Sequence, residues 1–164
     1  MSVPAWLPAM LVVPAGGNLE AAAWTNFQTD FAPASPPVPF RTGTVELETQ
    51  PHPGNAARPY TYWHLVTEGS PETARTAPIA ERLERIPWLR PLLVNHAGGE
   101  VRCWWKKQFG RNYFCLWCVA VNYLVVLKDD GARHLLTTAY PLYAVNVTKK
   151  IKEWSDAQKA GRTF

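Results

Sequence analysis

Eight residues of this 164-residue chain have types and placing that could do chemistry on a phosphodiester: His64, Arg82, Arg85, Trp105, Lys106, Lys107, Thr138 and Tyr140. Imidazole titrates near neutral pH, so His64 is the leading candidate for a general acid or base. Arg82 and Arg85 carry the planar donor fork that can stabilise charge developing on phosphorus. Trp105, Lys106 and Lys107 interleave aromatic and basic character, which suits base stacking and phosphate contact. Thr138 and Tyr140 stand two apart in a strand-like run, so they share a face and could orient a phosphate. Each has a plainer structural reading. His64 sits among aromatics and could simply be packed. Arg82 and Arg85 could pair with Glu81 and Glu84 on a helix surface. One of Trp104 and Trp105 belongs in a core, and Tyr140 could too.

Other chemistries lack their residues. Cys115-Leu116-Trp117-Cys118 has the spacing of a zinc or redox pair. On a strand, however, residues three apart point to opposite faces, and Cys103 does not complete four ligands. These cysteines read as small buried apolar residues. No phosphate-binding glycine loop and no G-x-S-x-G is present, and Asp129-Asp130 reads as a hairpin turn rather than a magnesium site. No metal and no cofactor is expected. Phosphodiester cleavage without a metal needs acid–base groups, cations and the 2′-hydroxyl that RNA has and DNA lacks. Of the remaining histidines, His134 is expected in solvent, His52 in a proline-rich loop and His96 in a turn.

Charge is uneven along the chain. Residues 1–80 hold three Arg against six acids; residues 81–164 hold fourteen Lys or Arg against seven. A basic half of this kind points to nucleic acid or an acidic partner. Three cysteines argue against a disulfide scaffold. Residues 1–17 lack a basic start and are cut by three prolines, which fits neither a signal peptide nor a membrane span. The expectation is a cytoplasmic protein with no membrane partner.

The elements that must position these residues can be placed by periodicity. Asn18 caps a helix over about 19–32, and residues 1–18 form an N-terminal extension to a single domain over 19–164. Thr44–Thr49 alternates as a strand, and Gln50–Pro59 reads as a loop. Tyr60–Thr67 (YTYWHLVT) is strand-like by composition, with Tyr60, Tyr62, His64 and Val66 on one face. Glu68–Ala77 is a loop. Ile79–Ile86 and Trp88–Val94 are short helices broken by Pro87. Four strands follow at Val101–Lys107, Asn112–Val121, Tyr123–Lys128 and Arg133–Ala139, turned by Phe109-Gly110 and Asp130-Gly131. Tyr123-Leu124-Val125-Val126-Leu127 is apolar throughout, as a central strand covered on both faces would be. Asn146 or Thr148 caps a last basic helix with Val147, Ile151 and Trp154 inward. This order predicts an α+β fold, with helices on one face of an antiparallel sheet built around a four-strand meander.

The chain resembles the phage-type branch of the barnase–EndoU–colicin–RelE superfamily of small ribonucleases and toxins. The resemblance rests on Trp63-His64-Leu65-Val66-Thr67-Glu68, Glu84-Arg85-Ile86-Pro87-Trp88-Leu89-Arg90, Tyr123–Leu127 and Leu135-Leu136-Thr137-Thr138-Ala139-Tyr140-Pro141. It covers roughly residues 20–145. It implies a helix-plus-sheet ribonuclease fold, metal-free cleavage and a cognate antitoxin or immunity protein. It also implies catalytic roles for His64, Arg85, Thr138 and Tyr140, while Arg82, Trp105, Lys106 and Lys107 are expected, from their own chemistry, to hold RNA. The expectation is therefore a metal-independent endoribonuclease toxin that leaves a 2′,3′-cyclic phosphate. The alternatives are a non-catalytic RNA-binding module and a protein-interaction domain with a basic sheet face.

Overall fold

The computed structural model describes residues 1–131 and 133–164. Helix α1 (Leu19–Phe31) begins where Asn18 Oδ1 accepts the Ala21 N–H at 3.0 Å, and it buries Ala23 and Phe27. Strands β1 (Pro39–Phe40) and β2 (Gly43–Glu46) pair antiparallel. Residues 50–59, expected as a loop, contain a small hairpin instead: β3 (Pro51–His52) and β4 (Asn55–Pro59). Its turn needs Gly54, because a Cβ there would lie 2.3 Å from the Arg75 carbonyl oxygen.

The segment expected as a strand over 60–67 is helix α2 (Tyr60–Val66). Aromatic and β-branched residues fit a strand by propensity, but packing overrides that preference here. Pro59 stands at the N-cap, and Tyr62, Leu65 and Val66 are fully buried. Two arginines then close the helix C-terminus. Arg75 donates to the carbonyls of His64 (3.1 Å) and Thr67 (2.9 Å), and Arg82 donates to Thr67 at 2.7 Å. Cations at this end satisfy orphan carbonyls and oppose the negative pole of the helix dipole. The helical turn also separates Tyr62 from His64, which the strand reading put on one face. Tyr62 packs on Trp24 and Phe27 of α1 with ring centroids 4.8 and 5.1 Å away.

Helices α3 (Ala80–Leu83) and α4 (Leu89–Val94) flank a single tight turn over Ile86–Trp88. Then comes the meander: β5 (Val101–Gln108), β6 (Arg111–Cys118), β7 (Tyr123–Asp129) and β8 (His134–Pro141). The β6 strand stops at Cys118, short of the expected Val121, because residues 119–121 form a 3₁₀ turn. The sheet has six strands in the order β1-β2-β8-β7-β6-β5. It is mixed rather than wholly antiparallel, because β2 joins β8 in parallel, Val45 opposite His134. A bulge in the β7–β8 ladder pairs Val126 with Thr138 and Leu127 with Leu136, so Thr137 has no opposite number.

Both faces of the sheet are covered. Tyr123, Val125 and Leu127 of β7 join the larger core with residues of α1, α2, α3 and α4. Leu124 and Val126 join a second core with Trp104, Cys115, Trp117 and Ala157 of helix α5 (Ala144–Lys159). Cys115 and Cys118 fall in different cores, which is the divergence that strand alternation requires. Helix α5 starts after Tyr143 rather than at Asn146 or Thr148, with no side-chain cap. Val147 and Trp154 pack inward, but Ile151 remains 48% exposed. Residues of the N-terminal extension lie against the helical layer: Leu11 N–H donates to Glu84 O, and Trp88 Nε1 to Pro8 O, both at 2.8 Å. His134, expected in solvent, is buried at the start of β8 beside Phe40 and Phe114. No helix among the described residues is long and apolar enough to cross a membrane.

Candidate active site

Helix α2, the β3–β4 hairpin and the loop after α2 bring His64, His52 and Glu72 together. His52 Nε2 lies 2.9 Å and His64 Nδ1 3.1 Å from the same carboxylate oxygen, Glu72 Oε2. Arg75 Nε stands 3.3 Å from that oxygen. The His52 side chain is wholly buried, while that of His64 keeps 17% of its surface.

The hydrogen bonds assign the protons. His52 Nδ1 accepts the Gly54 N–H at 2.9 Å, so its own proton sits on Nε2 and is donated to Glu72. His64 turns Nδ1 to the same carboxylate, so the neutral ring carries its proton there and leaves Nε2 as a lone pair. That nitrogen has no hydrogen-bond partner among the described residues. Burial, first of all, lowers the His64 pKa from its ordinary 6.5, against the opposing pull of the Glu72 hydrogen bond. The ring is thus held neutral and oriented, as a general base requires.

The same three side chains are a possible metal set, with ligand atoms within 4.8 Å of one another. The donor set does not fit that use. A metal on His52 Nε2 would send its proton to Nδ1, where the Gly54 N–H already points. Metal-bound histidines instead donate their second N–H outward.

His64 opens on a cavity of about 220 Å³ whose walls include Glu48, Tyr60, Lys128 and Thr137. Tyr60 lies one helical turn before His64, their rings stacked at 5.9 Å. Burial raises the Tyr60 pKa, so its phenol stays a donor near neutral pH. Lys128, at the end of β7, is also among its lining residues. Thr137 reaches the wall because the bulge turns it there.

Other residues expected in the site lie elsewhere. Thr138 pairs with Val126 and, with Tyr140, faces the α5 side. Tyr140 and Arg82 line a second concavity of about 300 Å³ with Glu68, Glu81 and Tyr143. The Arg82 guanidinium is 5.6 Å from the Tyr140 ring but is engaged with α2 carbonyls. Arg85 lies over Trp88 at 5.3 Å and donates to Glu81 O at 2.7 Å. Trp105 edges the larger core, Lys106 pairs with Glu153 at 3.3 Å, and Lys107 lines a shallow recess with Asp129 and Asp130. Alternation along β5 sends Trp105 and Lys106 to opposite faces. The eight residues therefore do not share one surface. His52, Glu72, Lys128 and Thr137 carry no sequence signal that marks them: long-range packing and a bulge bring them in.

The cluster makes the fold sensitive to acid. Glu72 is pushed up by burial, but bonds from His64 and His52 prevail and hold its pKa below the usual 4.5. Both folded values lie below the unfolded ones, so the unfolded chain binds protons first. The stability they confer is full above pH 6.5. It falls as pH drops through the lowered His64 value, then again below 4.5 through that of Glu72. Urea midpoints measured from pH 7.5 to 4 should decline in wild type and decline more steeply below pH 6.5 in Glu72→Gln, which loses the carboxylate that opposes the lowering of the His64 value. Parallel profiles would mean the cluster contributes nothing.

Comparison with protein-family models, with curated proteins and with solved structures finds no match for this chain.

Proposed function

We propose that this chain is a metal-independent endoribonuclease in which His64, oriented by Glu72, is the general base. The observation that carries the reading is the fixed tautomer of His64: Nδ1 tied to Glu72, Nε2 free, beside a cavity that also holds Lys128. The imidazole takes the proton of a ribose 2′-hydroxyl, whose oxygen attacks the adjacent phosphorus. Lys128 and the Tyr60 phenol stabilise the charge that builds on the phosphorane. The bond from phosphorus to the 5′-oxygen then breaks, that oxygen takes a proton from water, and the products are a 2′,3′-cyclic phosphate and a 5′-hydroxyl. The likeness of the sequence to small ribonuclease toxins supports the same reading, and with it cytoplasmic action and a cognate inhibitor.

The test is a denaturing gel of matched RNA and DNA strands, with and without excess EDTA. RNA should be cut to cyclic-phosphate ends with EDTA present, and DNA should stay whole. Loss of cutting in EDTA would install a metal in place of the base. RNA that is retained but never cut would leave a binding module. Neither cutting nor retention would point to a protein partner for the basic half.

A further inference from the structure

We infer that the aromatic cavity beside the His64 cavity is a nucleobase subsite, which holds the base of a nucleotide flanking the scissile phosphate. This inference rests on the ribonuclease reading and gives it a source of substrate preference.

The cavity has a volume of about 300 Å³ and is walled by Trp24, Phe27 and Phe31 of α1 and by Tyr62 of α2. That volume is at the small end for ligand sites, which suits one planar ring system rather than a peptide segment. Its lining is mostly apolar, and Gln28, Glu48 and Thr49 are among the polar residues it includes. Trp24 and Phe31 keep part of their surface exposed and offer π-faces for a base, with Phe27 and Tyr62 buried behind them; the amide can donate or accept along a base edge and the carboxylate can accept.

Continuity with the proposed catalytic cavity is what selects a base as the occupant. Glu48 and Thr61 line both cavities. The partition between them is fixed, because Glu48 N–H donates to Thr61 Oγ1 at 2.7 Å. A nucleotide with its ribose and phosphate at His64 thus has its base one wall away. The stacking wall is also held in place before any ligand arrives. The Arg58 guanidinium lies 5.1 Å from the Trp24 ring and is itself held by Glu20, with Arg58 Nε 2.8 Å from Oε1. A wall ordered in advance loses little entropy on binding.

The experiment compares short RNA substrates with one cleavable phosphodiester. One series varies the base beside the cut, and one member carries an abasic ribose there. Wild type should lose about ten- to hundredfold in kcat/KM on the abasic substrate, mostly through KM, which is what one stacked base is worth. Trp24→Ala should lose a similar factor on the natural substrate and almost nothing more on the abasic one. Gln28→Ala, at an exposed position safe for folding, should flatten the preference among bases. Equal rates on natural and abasic RNA would overturn the subsite and leave the ribonuclease standing. So would losses from Trp24→Ala and base removal that simply multiply, because the tryptophan would then act through the fold. A wild-type protein that cuts none of the substrates would overturn both.

Discussion

Alanine at His64 is expected to slow RNA cleavage by about 10²–10⁴-fold, the usual worth of one positioned proton-transfer group. The loss should appear in kcat under single-turnover conditions, since the imidazole acts on the 2′-hydroxyl and not on the bulk of the substrate. Circular dichroism should be unchanged, because the His64 side chain is partly exposed and α2 is held by its buried neighbours. Glu72→Gln gives the instructive comparison. The amide keeps the volume and its oxygen can still accept from both ring nitrogens, but it loses the negative charge that stabilises the imidazolium formed when His64 takes a proton. An intermediate loss is expected, with the acid limb of the rate profile displaced from that of wild type. Cleavage by His64→Ala at the wild-type rate would remove the assignment outright.

The second large effect is structural. Leu124→Ala, on the central strand, should cost about 2–5 kcal/mol, because the site is fully buried and its neighbours can only partly collapse into the void. The second core that Leu124 joins is small and includes Trp104, Cys115, Trp117 and Ala157. Ile151→Ala, on the same side of the sheet, should stay within about 0.5 kcal/mol, the range of ordinary surface substitutions. Urea unfolding at neutral pH separates the two. Equal costs would contradict the placement of α5 with Val147 and Trp154 inward and Ile151 outward.

The meander was legible because its signals are local and agree with one another. Glycine turns at 110 and 131 bracket strands whose apolar runs match the pleat, and Tyr123–Leu127 announced its two-sided burial by lacking polar residues. The stretch 60–66 was misleading for a related reason. Its aromatic and β-branched residues suit any fully buried element, and composition does not distinguish a covered helix from a covered strand. Arg75 and Arg82 close that helix from 8 to 17 residues away, beyond the reach of any periodicity. The bulge that brings Thr137 to the cavity wall, and leaves Thr138 on the α5 side, is likewise a property of two paired strands.

By itself the sequence determined the α+β class, the four consecutive antiparallel strands and the divergence of Cys115 from Cys118. These depend on neighbours within a few residues, where side-chain type and backbone period act together. Tertiary structure alone decided that Glu72 and a buried His52 would meet His64, that Lys128 and not Arg85 would share its cavity, and that the basic residues would spread over separate surfaces. Hydrogen bonds between distant segments form only once the hydrophobic core has set their distance, so no local pattern could announce them.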